Sequence, residues 1–415
     1  MPRHNTITTI DIGTSKVSCL IGEYNSDSVL EIAGKGQAPS HGITKGAIND
    51  VEECSKAIEI AVMEAENAAG IRVSSVTASV SGEYISSGSS KGKVEITSKN
   101  GEITQNDISR VIEAARNSKP HEGHRILHVV PRCFSVDSHD AVKNPLGMIG
   151  KNLEIDAYLI MGKDSFLQNI NQAILRTGLE LETSNYVFSS FVSGHSVVDE
   201  SEKNLGVILI DMGAGTTKIN VYKSGVLVHS RVLPLGGDLI TYDIAVYYGI
   251  PLSEAEKLKI QEGSACADLL TAEEEEAEVE AASFSESQSI VLVKREVLAQ
   301  IIEARLMDIF EVIRKEISWL HNRGIYIAGS ILTGGVAKTR HVHFLAQRIL
   351  EVPTKVGRPG KYNGLSDWAG NPEFASVVGS MRYLEENKLG VTPTKNSNQL
   401  IGYFKKAINW LHEVF

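Results

Sequence analysis

The chain has 415 residues, of which 42% are hydrophobic, and this composition is typical of a folded protein with material for more than one core. Lys and Arg number 41 and Asp and Glu number 51, so the formal charge of −10 argues against a nucleic-acid binder, which would carry a basic face. Four cysteines without a CxxC pattern indicate reduced thiols in a cytosolic protein, and no apolar stretch approaches the roughly 18 residues of a membrane span.

The first predicted unit is a strand, a Gly-centred turn and a second strand over residues 7–21, with Asp11 at the end of the first strand. Helical spacing predicts a helix over 51–69, and alternation predicts a strand over 73–80. Between 81 and 161 the composition changes to a Ser-, Gly- and Lys-rich stretch, a short helix and strand-like runs. This region is predicted to be a small α+β unit inserted into a larger domain.

A second strand–turn–strand unit is predicted to begin with the apolar run 205–210 and to continue as a strand over 219–222. Its turn reads DMGAGTTK, and the turn of the first unit reads DIGTSK. Both have Asp, Gly, a small residue, Ser or Thr, and Lys in that order. The two units lie about 200 residues apart, which is too long for a solenoid repeat and favours duplicated domains.

The remaining predicted elements complete the second half. They are helices over 166–176, 241–248 and 252–259, a Glu-rich low-complexity segment over 264–288 expected to be a mobile loop, a long helix over 297–320, a strand over 325–332 followed by TGGVAK, and a helix over 374–386.

The two turns have the composition of a phosphate-binding site. A carboxylate at the end of a buried strand requires a cation or hydrogen-bond donors, and Asp11 and Asp211 both suit hydrated Mg²⁺. Glycines allow backbone N–H groups to approach phosphate oxygens, and Lys16 is long enough to reach them. One such turn is weak evidence because hairpin turns use the same residues. A matched pair followed by the Gly334–Gly335 turn favours a nucleotide.

At these motifs the chain resembles the superfamily of actin, sugar kinases and heat-shock chaperones, and within it the FtsA family of bacterial cell-division proteins. The motifs are DIGTSKV, DMGAGTTK and LTGGVAK, with HRILHVVPR and KNPLGM inside the insertion. The resemblance covers essentially the whole chain. It implies an α/β, actin-like fold in which two duplicated RNase-H-like halves surround a nucleotide cleft, with an inserted α+β subdomain and a C-terminal amphipathic helix.

The resemblance implies the following division of the chain. The first half is 1–80, with 162–187 and 374–386 returning to it; the inserted family-specific subdomain is 81–161; the second half is 188–240 and 325–373; a small subdomain is 241–324, including the acidic loop 264–288; a flexible tether is 387–399; and a membrane-targeting helix is 400–415.

ATP and Mg²⁺ are the implied ligands. By resemblance the first phosphate loop is Gly13, Thr14, Ser15 and Lys16, and the second is Asp211, Gly213, Gly215, Thr216 and Thr217. The resemblance also implies a ribose-side turn at Gly236, Gly237 and Asp238, an adenosine loop at Gly334 and Gly335, and a pair flanking adenosine at Glu254 and Lys257. Asp11 and Asp211 are implied to hold Mg²⁺ through water. The spacing of Glu254 and Lys257 is also that of a common solvent-exposed pair.

Weak or negligible ATPase activity is expected. Hydrolysing members of the superfamily orient the attacking water with a Glu or Gln, and the corresponding stretch 186–194 contains neither residue. No catalytic residue is therefore assigned.

The last 16 residues are predicted to form an amphipathic helix that binds anionic lipid reversibly. Its apolar stripe and flanking lysines are Leu400, Ile401, Phe404, Lys405, Lys406, Ile408, Trp410, Leu411 and Phe415.

The resemblance implies a protein that polymerises on the inner face of the cytoplasmic membrane, at the division septum, and tethers FtsZ filaments there. It places the site for the FtsZ C-terminal tail in 241–324, where Lys294, Arg295 and Arg305 are the candidate residues. Other division proteins are expected to bind the 81–161 subdomain. The alternative is a small-molecule kinase of the same superfold, which would need a catalytic base and has no use for a tethered amphipathic helix.

Overall fold

The structure is a computed structural model of the chain, and it describes residues 6–27, 29–118, 122–284, 290–360, 363 and 370–387. The predicted tether beyond residue 387 and the predicted helix over 400–415 lie outside the described residues. Within the described residues no helix combines the length and apolar character that crossing a membrane requires.

The described strands alternate with helices along the chain. The strands are β1 (Thr6–Ile12), β2 (Lys16–Tyr24), β3 (Leu30–Pro39), β4 (Ile43–Thr44), β5 (Ala47–Ile48), β6 (Ser75–Val80), β7 (Ile85–Glu95), β8 (His124–Val136), β9 (His139–Val142), β10 (Asn152–Lys163), β11 (Glu180–Phe188), β12 (Val207–Met212), β13 (Thr217–Lys223), β14 (Val226–Leu233), β15 (Glu278–Ala282), β16 (Ile290–Lys294), β17 (Gly329–Thr333) and β18 (Thr354–Val356).

The described helices are α1 (Val51–Ala69), α2 (Gln105–Arg116), α3 (Asp164–Arg176), α4 (Ser189–Val197), α5 (Glu200–Leu205), α6 (Gly237–Tyr248), α7 (Leu252–Glu262), α8 (Ala272–Glu276), α9 (Arg295–Ile317), α10 (Trp319–Asn322), α11 (Val342–Leu350) and α12 (Ala375–Glu386). Short 3₁₀ turns occur at Ala267–Leu269, Gly335–Lys338 and Pro372–Phe374.

Two sheets repeat one topology. The first has the order β3-β2-β1-β6-β11 and the second the order β14-β13-β12-β17-β18. In each sheet the first three strands along the chain pair antiparallel, and the other two strands add in parallel. This repetition confirms the predicted α/β fold with duplicated halves.

Helices cover both faces of the first sheet. On one face α1 and α3 bury apolar side chains such as Ile58 and Ile174 against it. On the other face α4 and α12 pack residues such as Val192 and Met381 against Ile7 of β1. The chain therefore returns to the first half near its C-terminal end, and α12 begins beside the turn between β1 and β2.

The insertion is a four-stranded antiparallel sheet, in the order β7-β10-β8-β9, with α2 packed on it. It also contacts the second half. Arg132 donates from Nη2 to the carbonyl of Val228 (2.8 Å), and the Ser230 N–H donates to the hydroxyl of Tyr158 (2.9 Å). The insertion thus links the two halves through the edge strand β14.

The prediction of a loop over 264–288 is wrong for most of the segment that the structure describes. The Thr271 hydroxyl and the Glu274 carboxylate form a capping box that begins α8. Beyond α8, charged and apolar residues alternate in β15, which pairs with β16. Arg340 also binds Glu274 (2.7 Å), so part of the Glu-rich stretch is held by a salt bridge.

Three predicted boundaries also change. Leu205 ends α5, so the strand predicted at 205 begins at Val207. The long helix predicted over 297–320 begins earlier, at Arg295, and its main part ends at Ile317 before the short α10. The strand predicted from 325 is limited to β17.

Candidate functional site

The two strand–turn–strand units have the same backbone geometry. The Gly13 N–H donates to the carbonyl of Lys16 (3.0 Å), and the Gly213 N–H donates to the carbonyl of Thr216 (2.9 Å). Asp11 pairs with Ser18 across the first hairpin, and Asp211 pairs with Lys218 across the second. The repeat is therefore in register position by position, and Lys218 corresponds to Ser18 and not to Lys16.

The turns meet across a cavity of about 280 Å³ that both halves line. A β-carbon on Gly215 would lie 2.7 Å from Oγ1 of Thr14, so the second turn reaches the first only because residue 215 has no side chain. The hydroxyls of Ser81 and Thr216 also approach each other across the halves (3.3 Å). The cleft is therefore narrow at the turns.

Most of the predicted nucleotide residues lie around this cavity. Those lining it are Asp11, Gly13, Thr14, Ser15, Lys16, Asp211, Gly213, Gly215, Thr216, Gly237, Gly334 and Gly335. Three predicted residues are not part of the lining: Thr217, Gly236 and Asp238. The Thr217 hydroxyl donates to the carbonyl of Leu235 (2.8 Å), and the Asp238 N–H donates to the carbonyl of Ala214 (2.9 Å).

The predicted Glu254–Lys257 pair does not line the cavity, and a second Glu-x-x-Lys pair two residues further along α7 does. Glu256 and Lys259 are both in the lining. The Nζ of Lys259 donates to Oε2 of Glu256 (2.5 Å) and to the Thr241 hydroxyl (2.7 Å). Two residues rotate a position by roughly 200° around a helix, so Glu254 and Lys257 lie on another side of α7. The Glu-x-x-Lys pair that lines the cavity is therefore the one two residues after the predicted pair.

The carboxylates at the strand ends have different surroundings. The Ser376 hydroxyl donates to Oδ1 of Asp11 (2.7 Å) and also contacts the Ser79 hydroxyl (2.7 Å). Burial raises the pKa of Asp11, against the opposing effects of Ser376 and the charge of Lys218. Asp211, only 5% exposed, has Nζ of Lys218 at 3.6 Å from its Oδ2.

Lys16 is bound to a carboxylate at the cavity wall. Its Nζ lies 2.6 Å from Oε2 of Glu373 and 4.1 Å from the centre of the Phe374 ring. Lys338 binds the other oxygen of Glu373 (2.9 Å). Burial alone would raise the pKa of Glu373, but the hydrogen bonds from the two lysines bring it below its ordinary value. Burial lowers the pKa of Lys16, with Glu373 opposing this effect.

The third turn packs directly on the second. Gly334 has φ +84°, and a β-carbon there would lie 2.5 Å from the Met212 carbonyl and 2.7 Å from Oδ1 of Asp211. Its N–H donates to the carbonyl of Pro372 (3.1 Å). A glycine is required at this position both by the left-handed backbone and by the close approach.

The lining fits a phosphate-bearing ligand but not a Mg²⁺ ion between the carboxylates. Gly13, Gly213 and Gly215 leave backbone open to the cavity, which suits an anion. Hydrated Mg²⁺ prefers oxygen ligands that present negative charge. Asp211 instead faces the ammonium of Lys218, and Oδ1 of Asp11 already accepts from Ser376. The predicted Mg²⁺ site at Asp11 and Asp211 therefore does not fit.

Comparison with known proteins identifies the family. The chain is 33% identical over 416 residues to "Cell division protein FtsA" of Escherichia coli (strain K12), an alignment that covers 98% of this chain and 97% of that protein. The chain belongs to the FtsA family.

Models of two family regions agree with this assignment. "Cell division protein FtsA" matches residues 208–379, and "SHS2 domain inserted in FTSA" matches residues 82–161, which correspond to the predicted insertion.

Solved structures of low sequence identity share the fold. The PilM–PilN type IV pilus biogenesis complex matches with a TM-score of 0.66 at 16% identity, covering 94% of this chain and all of that one. MreB5 of Spiroplasma citri bound to ADP matches with a TM-score of 0.55 at 13% identity, covering 93% and 99%. The actin-like fold predicted for this FtsA-family chain is thus confirmed.

The end of β11 and the start of α4 bring hydroxyls to the cavity. Ser189 lines it, and its Oγ is buried without a hydrogen-bond partner among the described residues. Ser193 donates weakly to Oδ2 of Asp211 (3.4 Å). This stretch brings no carboxylate or side-chain amide to the cavity lining within the described part of the chain.

The predicted partner residues do not form one cluster. Lys294 is exposed at the start of α9, and Arg295 is held by Glu262 (3.2 Å) and Glu274 (3.5 Å). Arg305 lies elsewhere, in a groove of about 370 Å³ between α6 and α9, where Nη2 and Nε bind the two oxygens of Asp243 (2.9 and 2.5 Å). The rest of the groove lining is Tyr242, Val246, Tyr247, Ile301, Ala304 and Asp308.

Several polar residues of the cavity lining were not among the predicted site residues, and Lys218, Glu373 and Ser376 are those nearest the two aspartates and Lys16. Lys218 was detectable, since aligning the two turns residue by residue places it opposite Asp211. Glu373 and Ser376 come from a segment with no recognised phosphate motif, more than 150 residues after the second turn. Only the return of the chain to the first half brings them to Lys16 and Asp11.

Proposed function

We propose that this chain is an ATP-binding cell-division protein that polymerises on the cytoplasmic membrane and tethers FtsZ filaments to it. The observation that carries the nucleotide part is the pair of equivalent turns meeting across one cavity, with the Gly334 turn beside them. The MreB5 structure of the same fold is bound to ADP, which supports a nucleotide in this cleft. Membership of the FtsA family favours this function over the small-molecule kinase.

ATP binding is tested by calorimetry on the full chain. A β-carbon at Gly213 would point toward the cavity without a close clash, 3.5 Å from the Thr216 carbonyl, so Gly213→Val fills phosphate space and should abolish detectable binding. Gly88→Val, in β7 of the insertion with open space around it, is the matched control and should bind like the parent. Absence of ATP binding by the parent would overturn the proposal.

Turnover should be slow, because the stretch that ends β11 and begins α4 offers only serine hydroxyls to an attacking water. Steady phosphate release should stay far below one per second in the presence of lipid and ATP. Release at the rate of ordinary enzymes, about 1–10³ per second, would contradict this part.

The FtsZ tail is assigned to the groove between α6 and α9. Tyr242, Val246 and Tyr247 are each about 60% exposed there, which gives an apolar surface for a peptide. Asp243 holds the Arg305 guanidinium in a fixed orientation within the same groove. The tail's apolar side chains would fill the groove beside the Arg305 guanidinium.

Fluorescence anisotropy with an FtsZ C-terminal peptide tests this assignment. Val246→Asp and Arg305→Glu should each weaken binding by more than tenfold. Ile60→Asp, at a half-exposed position of α1 on the other half, is the control and should leave the affinity unchanged. Equal affinities for all the variants would move the site elsewhere.

Membrane attachment is assigned to residues 400–415 on their sequence pattern. Trp410→Glu places a charge on the apolar stripe and should prevent pelleting with anionic vesicles. Asn409→Glu adds the same charge on the polar side and should reduce pelleting far less. Lipid pelleting of Trp410→Glu at the parent level would remove the membrane part of the proposal.

Polymerisation is tested by electron microscopy on an anionic lipid monolayer with ATP. The proposal predicts filaments that require both ATP and residues 400–415. A uniformly monomeric protein under these conditions would leave the kinase alternative in place.

A further inference from the structure

Lys218 has a largely buried side chain whose ammonium group is open to the cavity and has no hydrogen-bond acceptor among the described residues. Its side chain is 9% exposed, and Nζ lies 3.6 Å from Oδ2 of Asp211, which is too far for a hydrogen bond. Among the described residues no hydrogen bond from this Nζ is present. An ammonium group has three donors, so those of Lys218 are available to a ligand in the cavity.

The ammonium group faces the nucleotide cavity. Lys218 is part of the lining, and its Nζ lies 3.6 Å from the position that a β-carbon on Gly213 would occupy. The other basic side chains of the lining are already hydrogen-bonded to carboxylates: Lys16 and Lys338 to Glu373, Lys259 to Glu256, and Arg340 to Glu274. Lys218 differs from them in retaining its donors.

The internal repeat shows that this charge is not required by the backbone. The equivalent position of the first half is Ser18, which is buried and neutral in the same hairpin register. At these two equivalent positions, only the second half therefore has a positively charged side chain.

This charge lies where a divalent cation would otherwise be expected. A hydrated Mg²⁺ beside Asp211 would be within a few ångströms of the ammonium, and two cations at that distance repel each other.

We propose that Lys218 supplies the fixed positive charge that binds the terminal phosphates of the nucleotide, so that ATP binding by this chain does not require a divalent cation. The inference rests on the proposed function. In it, the ammonium donates to phosphate oxygens while Asp211 holds it in place, which makes Lys218 a binding residue and Asp211 its positioning residue.

The parent chain alone gives the first test. ATP is titrated by calorimetry in excess EDTA and in millimolar Mg²⁺. We expect the two dissociation constants to agree within about threefold. A loss of more than tenfold in EDTA would overturn the inference, whereas the absence of binding under both conditions would overturn the proposed function itself.

A variant locates the effect. Lys218→Met keeps the length of the side chain and removes its charge, so ATP affinity in EDTA should fall by at least tenfold. Mg²⁺ should restore part of this loss, because the metal then neutralises the phosphates. AMP, which lacks the terminal phosphates, should bind within threefold of the parent. ATP binding by Lys218→Met in EDTA at the parent affinity would overturn the inference.

Two further variants control for charge. Lys16→Met removes a lysine that is already bound to Glu373, and it should cost less affinity than Lys218→Met. Lys91→Met removes an exposed lysine of the insertion and should have no effect. Thermal unfolding of each variant establishes that it is folded. If Lys218→Met does not fold, the EDTA comparison on the parent decides.

Discussion

The hairpin turns of the two halves share a backbone but differ in charge. Each places an aspartate at the end of a central strand and closes with the same Gly N–H hydrogen bond. In the first half the carboxylate of Asp11 meets hydroxyls and Lys16 is bound to Glu373. In the second half the carboxylate of Asp211 faces Lys218 inside the cavity.

The duplicated backbone determines where a ligand can approach the two turns. It does not determine which half provides the positive charge that would bind the ligand. Strand pairing and turn geometry are set by the backbone, and they are identical position by position. The electrostatics then differ for two reasons: Lys218 replaces Ser18 inside the repeat, and Glu373 and Ser376, from outside it, contact Lys16 and Asp11 of the first turn. We therefore assign the role of phosphate cation to the second half.

The largest effect is expected where the third turn packs on the second. Gly334 corresponds to Val80 in the first half, because Thr333 pairs with Asp211 as Ser79 pairs with Asp11. Gly334→Ala would place a β-carbon 2.5 Å from the Met212 carbonyl at a left-handed φ. We expect it to lower the free energy of unfolding by about 3 kcal/mol.

Urea unfolding checks this value, with Gly335→Ala as the control. Apart from the adjoining backbone, no atom of the described residues lies within 4 Å of a β-carbon at Gly335, so that variant should unfold within about 0.5 kcal/mol of the parent. Equal stability of the two variants would show that the second half can accommodate a side chain at position 334, as the first half does with Val80 at the equivalent position.

A smaller, opposite pair of effects is expected from the two aspartates. Asp211→Asn leaves the largely buried Lys218 side chain without a counter-charge and should destabilise the nucleotide-free protein by about 2 kcal/mol. Asp11→Asn removes a carboxylate whose pKa is raised by burial, and it should stabilise the protein by about 1 kcal/mol near neutral pH.

The pH dependence distinguishes these causes. A raised pKa in the folded state means that the stability associated with Asp11 is complete below its ordinary value of 3.8 and is lost as the pH rises through the folded value. The gain from Asp11→Asn should therefore be present at pH 7 and vanish near pH 4. If both aspartate variants shift the stability in the same direction, the proposed difference in charge between the two turns is wrong.

The smallest effect is expected at Glu373. Glu373→Gln removes the counter-charge of Lys16 and Lys338, and partial exposure limits the loss to about 1 kcal/mol. Because its pKa is lowered in the folded state, this stabilisation is present above the ordinary value of 4.5 and is lost as the pH falls through the folded value. The difference in unfolding midpoint between parent and variant should therefore be full at pH 7 and shrink as the pH falls below 4.5 through the folded value. If Glu373→Gln lowers the stability equally in acid, the side chain stabilises the protein through packing and not through its charge.

The repeated turns and the family resemblance predicted the duplicated α/β fold and the glycine-rich turns of the cavity lining. The duplicated turns are local features, and local spacing predicted Asp11, Gly13, Asp211 and Gly213. Glu373 and Ser376 could not be predicted because α12 approaches the turns through tertiary packing. The Glu254–Lys257 pair shows a different limit: a motif repeated two residues later on α7 cannot be assigned until the helix is oriented. The Glu-rich segment was misread because composition obscured a capping box and a two-residue alternation.

Hydrogen exchange followed by mass spectrometry tests most directly whether both turns bind one nucleotide. The amide groups of residues 11–18 and 211–218 should each exchange more slowly when ATP is added to the full chain, and both should respond over the same range of ATP concentration. Peptides of α2, in the insertion, serve as a region remote from the cavity. Protection of only one turn at saturating ATP, or of neither, would contradict the account of a nucleotide held between the two halves.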